Sequence, residues 1–141
     1  MSIEIARVPA DAVASFYRKN EREALRALYD FSVVWHEQTY DFAALDGDVA
    51  VGAATIVVAA SVARVERVVV APEYRRRDIG RRLLDTAADA ASYYNCHKMS
   101  ALVPHRGAAQ RFFEACGYRE EAVLPQHTFK LDVAALRKFL L

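Results

Sequence analysis

Between Arg75 and Arg82 the chain carries five arginines and one aspartate, Arg75, Arg76, Arg77, Asp78, Arg81 and Arg82, with Ile79 and Gly80 among them. Guanidinium groups at that density suit phosphate, because each presents paired N–H donors that match two phosphate oxygens. A glycine in their midst has no Cβ to keep a backbone away from an anion. The charge is local: the whole chain is only +1, which argues against general nucleic-acid binding, since that depends on many cationic contacts spread over a surface. A solvated helix end would explain most arginine runs. Here position speaks against it, because arginine at the start of a helix opposes the helix dipole unless an anion offsets it.

The flanking residues set that position. Val62 to Val70 reads as a strand, with Val62, Arg64, Glu66, Val68 and Val70 expected on one face and Ala63, Val65, Arg67 and Val69 on the other. Ala71-Pro72 ends it. After the arginine turn, Leu83, Leu84, Ala87, Ala88, Ala91 and Tyr94 recur at helical spacing. A helix opening at Gly80 aims unpaired backbone N–H groups at whatever occupies the turn, and its dipole adds roughly 0.3–1 kcal/mol for an anion. A diphosphate suits that geometry. The chain contains neither Gly-x-x-x-x-Gly-Lys-Ser/Thr nor Gly-x-Gly-x-x-Gly, so the two commonest glycine-rich phosphate loops are excluded.

Around this centre, Ile3 to Val8 reads as a first strand, followed by a helix through Tyr29 with a candidate break at Asn20-Glu21. Residues 31–39 show no clear period. Tyr40 to Leu45 and Val49 to Ala59 form a hairpin across Asp46-Gly47-Asp48, where glycine supplies a positive φ. Met99 to Val103 reads as a strand, and Ala108 to Cys116 as a helix closed by Gly117. Thr128 to Leu131 reads as a last strand before a short helix over Val133 to Leu140. The 141 residues suit a single domain, 1–141, of mixed α/β class. The longest uncharged run, Val49 to Ala63, is too short to span a membrane, and Glu4 and Arg7 interrupt the apolar stretch a signal peptide needs. A cytoplasmic protein without membrane or nucleic-acid partners is expected. Cys96 and Cys116 lack metal-ligand spacing and are expected as reduced thiols, with no metal required.

The stretch Val70-Ala71-Pro72-Glu73-Tyr74-Arg75-Arg76-Arg77-Asp78-Ile79-Gly80, followed by its apolar helix, resembles the coenzyme A cradle of the GCN5-related N-acetyltransferases. Arg75, Ile79 and Gly80 match that motif. Ala109-Gln110-Arg111-Phe112-Phe113-Glu114-Ala115-Cys116-Gly117-Tyr118 resembles the family's Ala-x-x-x-Tyr-x-x-x-Gly-Phe ending, and the likeness covers roughly Val49 to Leu131. It implies a mostly antiparallel sheet of about six to seven strands, splayed after Val70 and flanked by helices. It also implies acetyl-CoA as cosubstrate. Pantetheine would pair with Val68, Val69 and Val70, and the pyrophosphate would rest on amides of Arg75, Arg76, Arg77, Asp78, Ile79, Gly80 and Arg81. Phe112 and Phe113 would contact the coenzyme, and the acetyl group would face an amine near the ends of the Glu66 strand and the strand after Met99.

Three positions depart from the pattern. Asp78 stands where the family has glycine, a site aspartate tolerates at the cost of a negative charge beside the diphosphate. Phe113 replaces the tyrosine that often protonates the departing thiolate, and Arg106 replaces a common asparagine. Cys116, Tyr93, Tyr94, His105, His127 or water must then supply that proton. Glu66 is the first choice for the base that neutralises the amine, with a structural ion pair to Arg64 as the plainer alternative, and His127 is the second. Trp35, His36 and Tyr40 would line the acceptor pocket or pack in the core. The resulting reading is direct acetyl transfer to a primary amine of a small molecule or peptide. A catalytically impaired acyl-CoA-binding sensor or partner module is the alternative, and an arginine-rich interaction surface the third. The apolar ending Phe139-Leu140-Leu141 suits a homodimer contact, and packing on its own chain would read identically.

Overall fold

Gly47 takes φ +62 with nothing crowding it, and it turns the chain between two strands in register, β1 (Gln38–Asp46) and β2 (Val49–Ala59). A second tight turn at Ala60-Ser61, both at positive φ, leads into β3 (Val62–Val70), antiparallel to β2. These features belong to a computed structural model that describes residues 2–33 and 35–140. Leu141, part of the suggested dimer contact, lies outside the described residues.

The contacts divide into two compact units, Met1–Trp35 and His36–Leu141. The first holds α1 (Asp11–Tyr29), continuous through Asn20, whose side-chain amide donates to the Phe16 carbonyl one turn back at 2.9 Å. Asp30, in the left-handed region, closes the helix by donating its N–H to the Arg26 carbonyl. The expected strand over Ile3 to Val8 is absent. Its alternation has no partner to act on, since a strand forms only against a ladder of other backbone groups.

The second unit is one sheet in the order β1-β2-β3-β4-β6-β5. Its remaining elements are α2 (Ile79–Tyr93), β4 (Lys98–Pro104), α3 (Ala108–Ala115), β5 (Arg119–Thr128) and β6 (Leu131–Phe139). All neighbouring strands run antiparallel except β3 and β4, which the α2 crossover joins in parallel. Ile56, Met99 and Leu136 from the sheet are wholly buried, in one core with Leu84 and Ala87 of α2 and Phe113 of α3. Gly117, at φ +94, ends α3 as its position after an apolar helix foretold. Among the described residues no helix is long and apolar enough to cross a membrane.

Two expectations fail in this unit. The expected strand Thr128 to Leu131 is instead the turn at which β5 gives way to β6, with Phe129 and Lys130 at positive φ, and the expected helix over Val133 to Leu140 is the strand β6. Val133, Ala134 and Leu136 are spaced as on a helical face, but the slot between β4 and β5 offers paired backbone on both sides. Tertiary pairing outweighs a weak local preference there.

The faces of β3 are also not as the alternation predicts. Val65 pairs with Ile56 and Arg67 with Thr55, so Glu66 is an extra residue, a β-bulge. Ala63 and Val65 are buried before it, whereas Val68 and Val70 turn inward after it. Glu66 therefore shares a face with Arg64, Arg67 and Val69, and not with Val68 and Val70.

Candidate functional site

β3 and β4 pair only at Val62 with Lys98, Ala63 with Met99, and Arg64 with Ser100. The splay thus begins after Arg64, six residues before the expected point at Val70. A bulge sharpens the twist of its strand, and the extra residue at Glu66 lies where the two strands part company. From Val65 onward β3 remains paired to β2 through Gly52 and Val70, but its other edge has no strand against it. Unpaired strand edges present a row of backbone donors and acceptors, ready for an extended amide-bearing ligand.

The gap is a cleft of about 860 Å³. One wall is Val65 to Val70, the other Ala101 to Val103 of β4, and Ala108, Ala109, Phe112 and Phe113 of α3 continue it. The start of α2 closes one end, with Arg75, Arg76, Asp78, Ile79, Gly80 and Arg81. Eleven of the twelve residues expected at the coenzyme therefore converge here, together with Glu66. Arg77 does not. Its guanidinium lies 4.9 Å from the centre of the Tyr74 ring and lines a smaller recess with Arg82 and Asp46. Tyr74 donates its hydroxyl to Asp46, which raises the phenol's pKa.

Local physics explains the closed end. Pro72 opens a single 3₁₀ turn ending at Tyr74, whose N–H donates to the Ala71 carbonyl at 2.9 Å. Arg76 and Asp78 both take φ +63, the left-handed conformation that aspartate accepts more readily than most residues. Asp78 is the residue just before α2, yet its side chain makes no capping hydrogen bond to the helix. It pairs instead with Arg81 at 3.2 Å. The first turn of α2 is thereby left with its N–H groups uncapped and turned toward the cleft, the arrangement an anion satisfies. A Cβ on Gly80 would lie 2.9 Å from Phe112 Cζ, so glycine here lets α2 and α3 meet across the base of the cleft. Arg75 Nε donates to the Val70 carbonyl at 3.2 Å, fastening the turn to the strand.

The chemical candidates separate cleanly. Glu66 is in the cleft and about half exposed, with Arg64 Nη2 3.1 Å from its carboxylate, so the ion pair considered as the plainer alternative is formed. His127 does not line the cleft; it sits near the tip of the β5–β6 hairpin, its Nδ1 2.9 Å from the Thr128 hydroxyl. His105 is also outside, paired with Glu120 at 3.2 Å. Tyr94 stacks on Tyr40 at 4.6 Å between centroids, and Tyr93 stands edge-on to Tyr94, at the end of α2 remote from Gly80. Tyr40 therefore packs rather than lining the cleft, His36 lies beside Gln38, and Trp35 belongs to the first unit. Of the side chains considered as proton donors Cys116 alone lines the cleft; its burial raises the thiol's pKa. Phe113 is buried edge-on between Phe112 and Tyr118. Sequence reasoning placed the strand after Met99 beside the site, as Ala101 to Val103 are, but missed Arg67, because the bulge exists only once the strands pair.

The model of the Acetyltransferase (GNAT) family matches residues 6–118. No curated protein matches the sequence. Among solved structures, an acetyltransferase from Bacillus cereus ATCC 14579 is similar at 16% identity and TM-score 0.74, covering 98% of each chain. The ribosomal-protein-S18-alanine N-acetyltransferase of Escherichia coli is similar at 17% identity and TM-score 0.63, over 95% of this chain and 91% of that one. An aminoglycoside 6'-N-acetyltransferase complexed with coenzyme A is similar at 17% identity and TM-score 0.68, over 73% of each chain. At such identities the likeness is one of fold.

Proposed function

The chain belongs to the acetyltransferase (GNAT) family, and from that premise we propose that it moves an acetyl group from acetyl-CoA directly to a primary amine of a small molecule or peptide. The observation that carries the proposal is the open edge of β3 beyond Arg64, running into an uncapped helix start set among arginines. We take residues 1–141 as one domain, since the family match runs across the junction of the two units.

In this reading pantetheine lies along Val68, Val69 and Val70 as a surrogate strand, using backbone groups that β4 leaves free. The diphosphate meets the N–H groups of Ile79, Gly80 and Arg81 and the guanidinium groups of Arg75 and Arg76. Arg77, turned to the other side of the loop, contributes only through its backbone. Phe112 and Phe113 supply apolar contact. Acetyl-CoA brings the activated acyl group; the chain orients it and manages protons.

Glu66 accepts a proton from the acceptor ammonium, directly or through water. The neutral nitrogen attacks the thioester carbonyl, a C–N bond forms, and the C–S bond breaks as the tetrahedral centre collapses. The nitrogen loses its second proton to solvent, and the thiolate gains one from water or from Cys116, which burial keeps protonated. His127 takes no part, being outside the cleft lining.

One observation favours the alternative of a binding module without turnover: buried Phe113 stands at the family's tyrosine position and brings no hydroxyl into the cleft. Calorimetric titration with acetyl-CoA and CoA, together with thiol release across a panel of amines, separates the two. Saturable binding weakened at least about a hundredfold by Arg75→Ala with Arg76→Ala, loss of about 2.7 kcal/mol, is expected, along with amine-dependent thiol release. Binding without release from any amine supports the module, and no binding at millimolar acetyl-CoA overturns both.

A further inference from the structure

We infer that the acceptor carries a carboxylate close to its amine and that Arg67 reads it; this rests on the acetyl-transfer reading above. Before the bulge, side chains of β3 alternate between the core and the open face of the sheet. At the bulge the alternation skips a beat, and two consecutive residues, Glu66 and Arg67, emerge on the open face. Both line the cleft where β3 and β4 diverge.

Their surroundings differ. Glu66 is paired with Arg64 at 3.1 Å, and both side chains are about half exposed. Arg67 is opposite Thr55, which is spoken for by its own hydrogen bond to Asp41 at 2.5 Å. Among the described residues Arg67 makes no ion pair or side-chain hydrogen bond. The diphosphate reading does not use it either, because Val68, Val69 and Val70 separate it from the arginines at the start of α2.

An unpartnered guanidinium beside the proposed base repels a second ammonium on the acceptor and attracts an anion. Its planar donor pair matches a carboxylate. Consecutive Cα atoms are only about 3.8 Å apart, so a ligand whose ammonium meets Glu66 and whose anion meets Arg67 has the two groups near each other. A small amino acid or short peptide with a free carboxylate has that form, whereas a polyamine does not.

The test pairs L-amino acids and dipeptides with their C-terminal amides at saturating acetyl-CoA, following thiol release. The wild type is expected to favour the free acid by roughly tenfold to a hundredfold in kcat/KM, the range of a charge-assisted contact. In Arg67→Gln that ratio collapses toward unity through a higher KM for the acid, and Arg67→Lys restores part of it. Equal use of acid and amide by the wild type overturns the inference, as does a preference that survives Arg67→Gln. Turnover indifferent to the carboxylate leaves the acetyl-transfer reading standing; acetyl-CoA binding with no amine turned over removes that reading and this inference with it.

Discussion

The two halves of the β3–β4 pair are made of similar residues and meet opposite fates. From Val62 to Arg64, β3 is paired on both edges, and Ala63 and Met99 beside it are wholly buried. From Val65 to Val70, β3 keeps β2 but loses β4, and Val69 and Leu102 stand more than half exposed. The closed half is paired along both edges and supports the fold. The open half leaves an edge unsatisfied beside an apolar cleft, a cost tolerated where solvent or a ligand completes the pairing. The bulge at Glu66 divides them, and at the far end Gly80 lets α2 approach Phe112 of α3 at the base of the cleft.

The largest effect that would test this contrast is on stability. Met99→Ala, in the closed half, is expected to cost about 2–5 kcal/mol in urea unfolding, while Leu102→Ala, in the open half, costs under about 1 kcal/mol. Equal costs would break the comparison. Next comes the wedge: Gly80→Leu should drive the Phe112 ring into the cleft and weaken acetyl-CoA binding at least about tenfold by calorimetry. Adding Phe112→Ala should recover part of the loss; no recovery would mean the ring is not the obstruction.

A smaller effect is expected at the anion end. Asp78→Gly keeps a residue suited to φ +63, removes a negative charge, and frees Arg81 from its 3.2 Å ion pair. Acetyl-CoA should bind a few-fold more tightly, about one screened like-charge contact; unchanged or weaker binding would count against a diphosphate there. The smallest effect is in pH. Burial raises the pKa of Cys96 and Cys116, so their folded-state thiols hold protons that the unfolded chain releases. Stability is therefore fully present below the unfolded thiol value, about 8.5, and falls as pH rises through the folded values. Chemical unfolding at pH 7.5 and 9.5 should reveal the decline, and Cys96→Ala with Cys116→Ala should flatten it.

Much of the site was legible because its signals are local. Pro72, the arginine run, Gly80 and the leucines of α2 mark a strand, turn and helix within one short stretch, and Gly47 and Gly117 announce their turns by the backbone they permit. The reading of β3 failed at Glu66 because nothing in Arg64-Val65-Glu66-Arg67 states that β2 opposes four residues with three. The helix assigned to residues 133–140 failed for a related reason: the slot between β4 and β5 is built by residues far away in sequence.

The sequence by itself therefore determined the family, the order of the central elements and the chemistry of the anion end, because each depends on neighbours along the chain or on backbone conformations that few residues accept. Only the tertiary structure decided where β3 and β4 part, that Arg67 shares the cleft with Glu66, that His127 does not, and that residues 131–139 form a strand. Those outcomes depend on register between strands, and register is a property of pairing rather than of any one segment.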